Sequence, residues 1–295
     1  MALSVLSFTT GAVSRLIFTV LLASSASLAA GPAFAADADE LNLKYDIHSF
    51  GLRVATLKFD INVTAKAYKA RTKMKTKGLL NFIKSSNFIA IASGQVAKNG
   101  LEPKTFDLNT KSKKKGKRNA VISWNKKRIP SIKLSYPRDD YKVEAVKEKL
   151  QPNMPDPITA LLSATLRSSK TLCRDNYRVL DGATIYDIQY QLVGQDDFGD
   201  DDAGVYRGEA YKCKITYKPV AGLSNKKWAK LKARKDKGVE TFTVWMAPVK
   251  SVTRKALFVP VGAVASLGGK TAYAYLVRAS LSGEPLNARS KLAAN

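Results

Sequence analysis

From residue 41 the chain alternates apolar and polar side chains. Leu41, Leu43, Tyr45 and Ile47 point one way and Asn42, Lys44, Asp46 and His48 the other, the period-two pattern of a strand with one buried face. A turn at Ser49-Phe50-Gly51 leads into a second such run, Leu57, Phe59, Ile61 and Val63 against Lys58, Asp60, Asn62 and Thr64. Further strands are predicted at Tyr68 to Lys77, Phe88 to Val96 and Leu101 to Thr110. The last two are joined by Lys98-Asn99-Gly100, whose Asn-Gly pair suits a tight hairpin. Gly78 to Ile83 is too apolar for a plain loop and predicts a short turn of helix. Beyond a basic tip, Lys111 to Arg118, strands resume at Val121 to Trp124 and Ile132 to Leu134. Pro137 to Pro155, rich in Pro, Lys and Glu, reads as loop or edge structure.

One segment then switches period. Asp156 suits a helix N-cap and Pro157 the first helical position. Ile158, Leu161, Leu162, Thr165 and Leu166 follow at i, i+3, i+4, i+7 and i+8, which predicts an amphipathic helix with one face to bury and Arg167 and Ser168 exposed beyond it. Strands return at Tyr177 to Leu180 and Ile185 to Val193 around the turn Asp181-Gly182, then at Tyr206 to Tyr217, Phe242 to Met246, Ala256 to Val261 and Thr271 to Leu276. An acidic loop, Asp196 to Asp202, and a basic segment, Asn225 to Lys237, lie between them. Many strands with short turns and one helix predict an antiparallel sheet rolled into a β-barrel or half-barrel, with one amphipathic covering helix over its open face. No Pro/Gly/Ser linker and no internal repeat divides the chain, so residues 36–295 are expected to form a single β-rich domain.

The N-terminus changes the picture. Arg15 is the only charge before Asp37, Leu16 to Leu22 is mostly apolar, and Ala33-Phe34-Ala35 forms an A-x-A site followed by Ala36. This is the pattern of a secretory signal peptide over residues 1–35, with cleavage after Ala35. The alternative, a retained anchor, is disfavoured because the apolar run falls short of the roughly 20 residues that span a bilayer. No Cys follows the cleavage site, which argues against a lipid anchor, and no later segment is long and apolar enough to span. The mature chain is expected to be periplasmic, with no transmembrane segment.

Export alters how the net charge of +25 is read. So basic a chain ordinarily suggests nucleic acid. In an envelope the available polyanions are phospholipid headgroups, lipopolysaccharide phosphates and cell-wall polymers, so no nucleic-acid partner is expected. A basic surface that serves solubility is the alternative. The chain has two cysteines, Cys173 and Cys213. In an oxidising compartment an isolated pair is most simply a disulfide. The spacing is not Cys-x-x-Cys, and one His in the chain leaves little to complete a metal site.

Several segments taken together resemble one family. They are Tyr45-Asp46-Ile47 with Gly51 to Phe59, Asp156-Pro157-Ile158-Thr159-Ala160-Leu161-Leu162 against its "DPxSALL" helix with Thr for Ser, the series Cys173, Asp181-Gly182, Tyr186-Asp187, Cys213, and Val244 to Pro248 with Pro260-Val261. In order and extent the chain resembles domain-of-unknown-function family 3108, exported proteins of Gram-negative bacteria, over nearly all of its mature length. The resemblance implies a soluble periplasmic β-rich protein and carries over no enzyme activity.

Catalytic chemistry is sparse. His48, the single His, lies on the polar face of the first strand and reads as an ordinary exposed side chain, so no Ser-His-Asp or Cys-His set is proposed. Asp156 and Asp181 are explained as helix cap and turn residue, which leaves Asp187 without an acid partner. The acidic loop lacks the spacing of an EF-hand and reads as solvated. Two basic stretches remain. Lys113, Lys114, Lys115, Lys117 and Arg118 form one; Lys226, Lys227, Trp228 and Lys230 belong to the other, read as an exposed basic hairpin arm rather than an interfacial helix, and both are candidate contacts to an anionic surface. Trp124, beside Lys126 and Lys127, invites the same reading, whereas Trp245 is expected to pack inside. The leading expectation is a non-enzymatic cell-envelope protein without a cofactor that binds a lipid or another anionic envelope component. The alternatives are a hydrolase of cell-wall or lipid substrates and a protein-binding scaffold. A large apolar cavity would favour lipid binding, and a filled interior the scaffold.

Overall fold

The protein is described from a computed structural model covering residues 38–77, 86–113, 116–135, 142–199, 204–233, 239–251, 257–267 and 270–286. The expected signal peptide, the helical turn at 78–83, Lys114, Lys115 and Asp200 to Asp202 lie outside the described residues.

The described strands are β1 (Ala38–Ser49), β2 (Leu52–Thr64), β3 (Ala67–Thr76), β4 (Ser86–Ala97), β5 (Gly100–Ser112), β6 (Gly116–Trp124), β7 (Pro130–Leu134), β8 (Asn176–Leu180), β9 (Ile185–Phe198), β10 (Gly208–Ala221), β11 (Glu240–Val249), β12 (Leu257–Leu267), β13 (Lys270–Leu281) and β14 (Glu284–Pro285). The helices are α1 (Val143–Lys147), α2 (Pro157–Thr165) and α3 (Asn225–Lys232). One sheet runs in the order β7-β6-β5-β4-β3-β2-β1-β13-β12-β11-β10-β9-β8, with β14 added to the end of β13. Its pairs are antiparallel, so two meanders meet at a seam where β1 pairs with β13. The edge strands β7 and β8 do not pair with each other, and the fold is an antiparallel half-barrel. The curl nonetheless brings the edges together through side chains. Gly182, in the turn after β8 with φ +88°, sits so close to the other arm that a Cβ there would lie 2.9 Å from Cβ of Ala120 on β6.

The alternation predicted for β1 and β2 is present. Leu41, Leu43 and Tyr45 are buried, as are Ala55 and Val63, while Asn42, Lys58 and Asp60 face solvent. Register shifts fall at Lys44/Tyr45 and Ile47/His48, on either side of Asp46. Its carboxylate accepts from Arg53 Nη1 at 2.9 Å and Thr56 Oγ1 at 3.0 Å.

To pass from the β7 edge to the β8 edge the chain crosses the open side, and α2 lies in that crossing. It packs against β4, β5, β8 and β12, so it touches both arms. Asp156 caps it as expected, accepting from the backbone N–H of Ile158 at 2.9 Å and of Thr159 at 3.0 Å. The helix covers the open side as expected, but its burial extends beyond one apolar face. Thr159, Ala160, Ser163 and Ala164 are buried as well as Ile158 and Leu162, while Leu161 and Leu166 are half-buried. Small side chains let this second face approach its neighbours closely, so α2 is a plug enclosed on more than its apolar face. Tyr68 OH shares a 2.7 Å hydrogen bond with Thr159 Oγ1, joining the plug to β3.

Three other expectations are corrected. Pro137 to Pro155 is not all loop: α1 forms there because Val146 is fully buried in the core of the first arm. Arg167 is not a free surface residue, since it grips Asp175 with Nε at 2.9 Å and Nη2 at 2.7 Å and reaches Tyr177 OH at 3.2 Å. Asp196 and Asp197 belong to β9 rather than to a loop. Cys173 and Cys213 lie at disulfide distance, with Cα atoms 5.8 Å apart, between the exit of α2 and β10.

Candidate functional site

The interior leaves little room. Between Leu161 of α2 and the inner residues of β1, β2 and β12, including Leu43, Phe59 and Val259, the cavity is only about 30 Å³. That is space for about one water, whereas ligand pockets measure roughly 300–1,000 Å³.

The roomier site lies under α3. Ser224 caps this helix, its Oγ accepting from Lys227 N at 3.4 Å, so the segment expected as a hairpin arm is helical from Asn225 to Lys232. Lys227, Lys230 and Leu231, at i, i+3 and i+4, share the face toward the sheet. Opposite them stand Tyr217, Pro219 and Leu223 at the end of β10 and just past it, with Phe242 of β11 and Ala265 of β12. Phe242 pairs with Ile215 on one side and Ala265 on the other and packs against the core cluster that holds Cys213. The groove encloses about 590 Å³, and Glu240 stands at its rim. Its floor is apolar and aromatic while the helix supplies ammonium groups. Such a surface takes a molecule with a hydrophobic body and an acidic end.

Of the predicted basic residues, Lys227 and Lys230 line this groove, whereas exposed Lys226 and half-buried Trp228 do not. Lys113 lies in the exposed β5–β6 turn, and Lys114 and Lys115 fall outside the described residues. Lys117 and Arg118 line a separate depression of about 360 Å³ with Lys73, Lys75 and Lys111. The two basic stretches therefore belong to different sites. No sequence signal marks Tyr217, Leu223 and Phe242 as one floor, because only the β10–β11 register brings them together. Lys73 and Lys75 did have a signal, cations spaced by two along a strand.

Other candidates have structural roles. Trp124 is no surface anchor: it packs on the first core and donates Nε1–H to Met154 O at 3.0 Å. Trp245 is half-buried beside Phe198, with Nε1 donating to Asp196 Oδ2 at 3.1 Å; Lys212 Nζ meets the same oxygen at 2.9 Å. Asp181 accepts from Ala183 N at 2.8 Å and Thr184 N at 2.6 Å, and Asp187 is held by Arg178 at 2.8 and 3.1 Å. His48 packs edge-on against Tyr275. Burial pushes the Asp156 carboxyl up to about 6, against the pull of its hydrogen bonds from Thr159 and Ile158. Among the described residues no three His, Cys, Asp or Glu side chains are grouped to hold a metal ion, and no helix is long and apolar enough to cross a membrane.

An open antiparallel sheet filled by its own crossing helix, with a basic-rimmed groove at one end, defines a β-barrel-like protein. The family model described as "Protein of unknown function (DUF3108)" matches residues 44–267, and the chain belongs to that family. Among solved structures, a β-barrel-like protein of the domain of unknown function DUF1849 from Brucella abortus is similar, with 11% identity, 83% of this chain and 98% of that chain covered, and a TM-score of 0.48. No curated protein matches the chain.

Proposed function

We propose that this is an exported, non-enzymatic cell-envelope protein that binds an anionic amphiphile in the groove under α3. The observation that carries the reading is the groove itself, about 590 Å³ with Phe242, Tyr217 and Leu231 on its walls and Lys227 and Lys230 at its edge. Its volume falls in the ordinary range of small-molecule sites. The interior of about 30 Å³ is filled, which on its own favours a protein-binding scaffold, so the amphiphile reading rests on the outer groove alone. The signal-peptide pattern read in residues 1–35 supports an envelope location.

The test is native mass spectrometry of protein purified from the periplasm. Wild type is expected to carry an acidic amphiphile, Leu231→Ser and Lys230→Gln are expected to lose it, and the mature chain is expected to begin at Ala36. Wild-type protein free of any bound amphiphile, or variants that retain it fully, would refute the groove. A chain recovered with residues 1–35 attached would refute export.

A further inference from the structure

β3 carries a feature that neither the groove nor the basic loops use. Tyr68, Ala70 and Thr72 are buried, so Lys69, Arg71, Lys73 and Lys75 all project from the opposite face. Successive same-face residues on a strand are about 6.8 Å apart, which makes this a cationic stripe roughly 20 Å long. A second line crosses it. Arg278 of β13 stands opposite Lys44 of β1, Lys44 opposite Lys58 of β2, and Lys58 opposite Lys73 of β3. Four cations therefore face one another across four adjacent strands, at about 4.8 Å per step. Like charges directly opposite destabilise a sheet. Among the described residues none of these cations forms a salt bridge. The nearby acids are fewer than the cations: Asp46, bound by Arg53 and Thr56, also attracts Lys44, Glu40 accepts from Asn62 at 3.2 Å, and Asp60 stands opposite Arg71. The stripe ends in the 360 Å³ depression where Lys73 and Lys75 meet Lys111, Lys117 and Arg118.

We infer that this face, the outer side of β13-β1-β2-β3, docks on the phosphates of an anionic phospholipid surface. Charge complementarity selects phosphate. The arrangement selects a surface over a strand of nucleic acid. The cations extend in two directions as a grid, which matches a plane of headgroups; the rings on this face, His48, Tyr273 and Tyr275, lie to one side of the grid along β1 and β13 and pack on one another. The site is separate from the groove and does not depend on it.

The experiment compares wild type, Lys58→Gln/Lys73→Gln, and a control with the same charge change on exposed β10 residues, Lys214→Gln/Lys218→Gln, in sedimentation with phosphatidylglycerol vesicles and with phosphatidylcholine vesicles. Each cation at a membrane surface is worth about fivefold, so the β2/β3 double variant should bind phosphatidylglycerol about 25-fold more weakly, an effect that fades as salt is raised. The control should lose about threefold or less. The double variant relieves a like-charge pair and should melt no lower than wild type, so lost binding would not reflect unfolding. Equal losses in both variants would mean net charge alone acts and would overturn the proposal. So would equal binding to the two vesicle types. A single-stranded polynucleotide that binds wild type more tightly than the vesicles, and is lost with Lys58 and Lys73, would assign the grid to nucleic acid instead and overturn it equally.

Discussion

Asp156 offers a sharp test of how the plug is held. Its side chain is fully buried. One carboxylate oxygen accepts from the Ile158 and Thr159 amides, the other accepts from the Thr159 hydroxyl, and that hydroxyl meets Tyr68. Burial still dominates and raises the group from 3.8 to about 6. The folded state therefore holds the proton more tightly than the unfolded chain. Stability from this group is fully present below about pH 4, is lost as pH rises to about 6, and is flat above. A shift of about two units corresponds to roughly 3 kcal/mol. Asp156→Asn keeps an oxygen for the two amides and removes the charge, and its NH₂ can donate to Thr159 Oγ1, which then turns its proton toward Tyr68. Asp156→Ala leaves both amides without their acceptor and should fall below Asn by about 1–2 kcal/mol at every pH, since neither variant titrates. Urea melts from pH 4 to pH 7 supply the readout. Wild type should match Asn near pH 4 and fall below it by up to roughly 3 kcal/mol at pH 7. Parallel curves for wild type and Asn, or an Asn variant weaker than wild type at pH 7, would show that the hydrogen bonds outweigh desolvation and would refute the argument.

Two further outcomes are expected. Intact mass after alkylation should show no free thiol in native protein, and Cys173→Ser should cost about 2–5 kcal/mol because it frees the exit of the plug from β10; free thiols with unchanged stability would refute the pairing. Leu162→Ala should cost about 2–5 kcal/mol in urea melts, whereas half-buried Leu161 beside the 30 Å³ cavity should cost clearly less, and equal midpoints would mean that α2 is not buried as described.

Strands with one wet face were the easiest part to read. Period two located the runs around Leu41, Leu57 and Phe88, and Asp156-Pro157 placed the helix start to the residue, because cap and proline chemistry are local. The burial of α2 was legible on one side only. Thr159, Ala160 and Ser163 carry no hydrophobic signal, and only the crossing between sheet edges explains why they are enclosed. α1 was hidden for a related reason: a single fully buried residue, Val146, stabilises it amid charged neighbours. The groove was half legible. Its lysines stood out by composition, but its floor comes from strands whose register the sequence does not display. The grid on β3 was in plain view as alternating cations, yet its crossing line through Lys58, Lys44 and Arg278 exists only once the seam is made.

That seam also sets an order of events. Ser49 Oγ donates to Thr271 O across 222 positions, and Tyr45 OH reaches Pro260 O across 215. Hairpins such as β1–β2 and β4–β5 need only local closure, but β1 cannot acquire its second neighbour until the end of the chain arrives. Such non-local pairing is slow, and meanwhile one long edge stays unpaired and open to other chains. The middle of the sheet is thus the last part to close. A chain cut short before β13 would forfeit its central join rather than a dispensable tail, leaving two curled arms joined only through α2 and the contact of their edges.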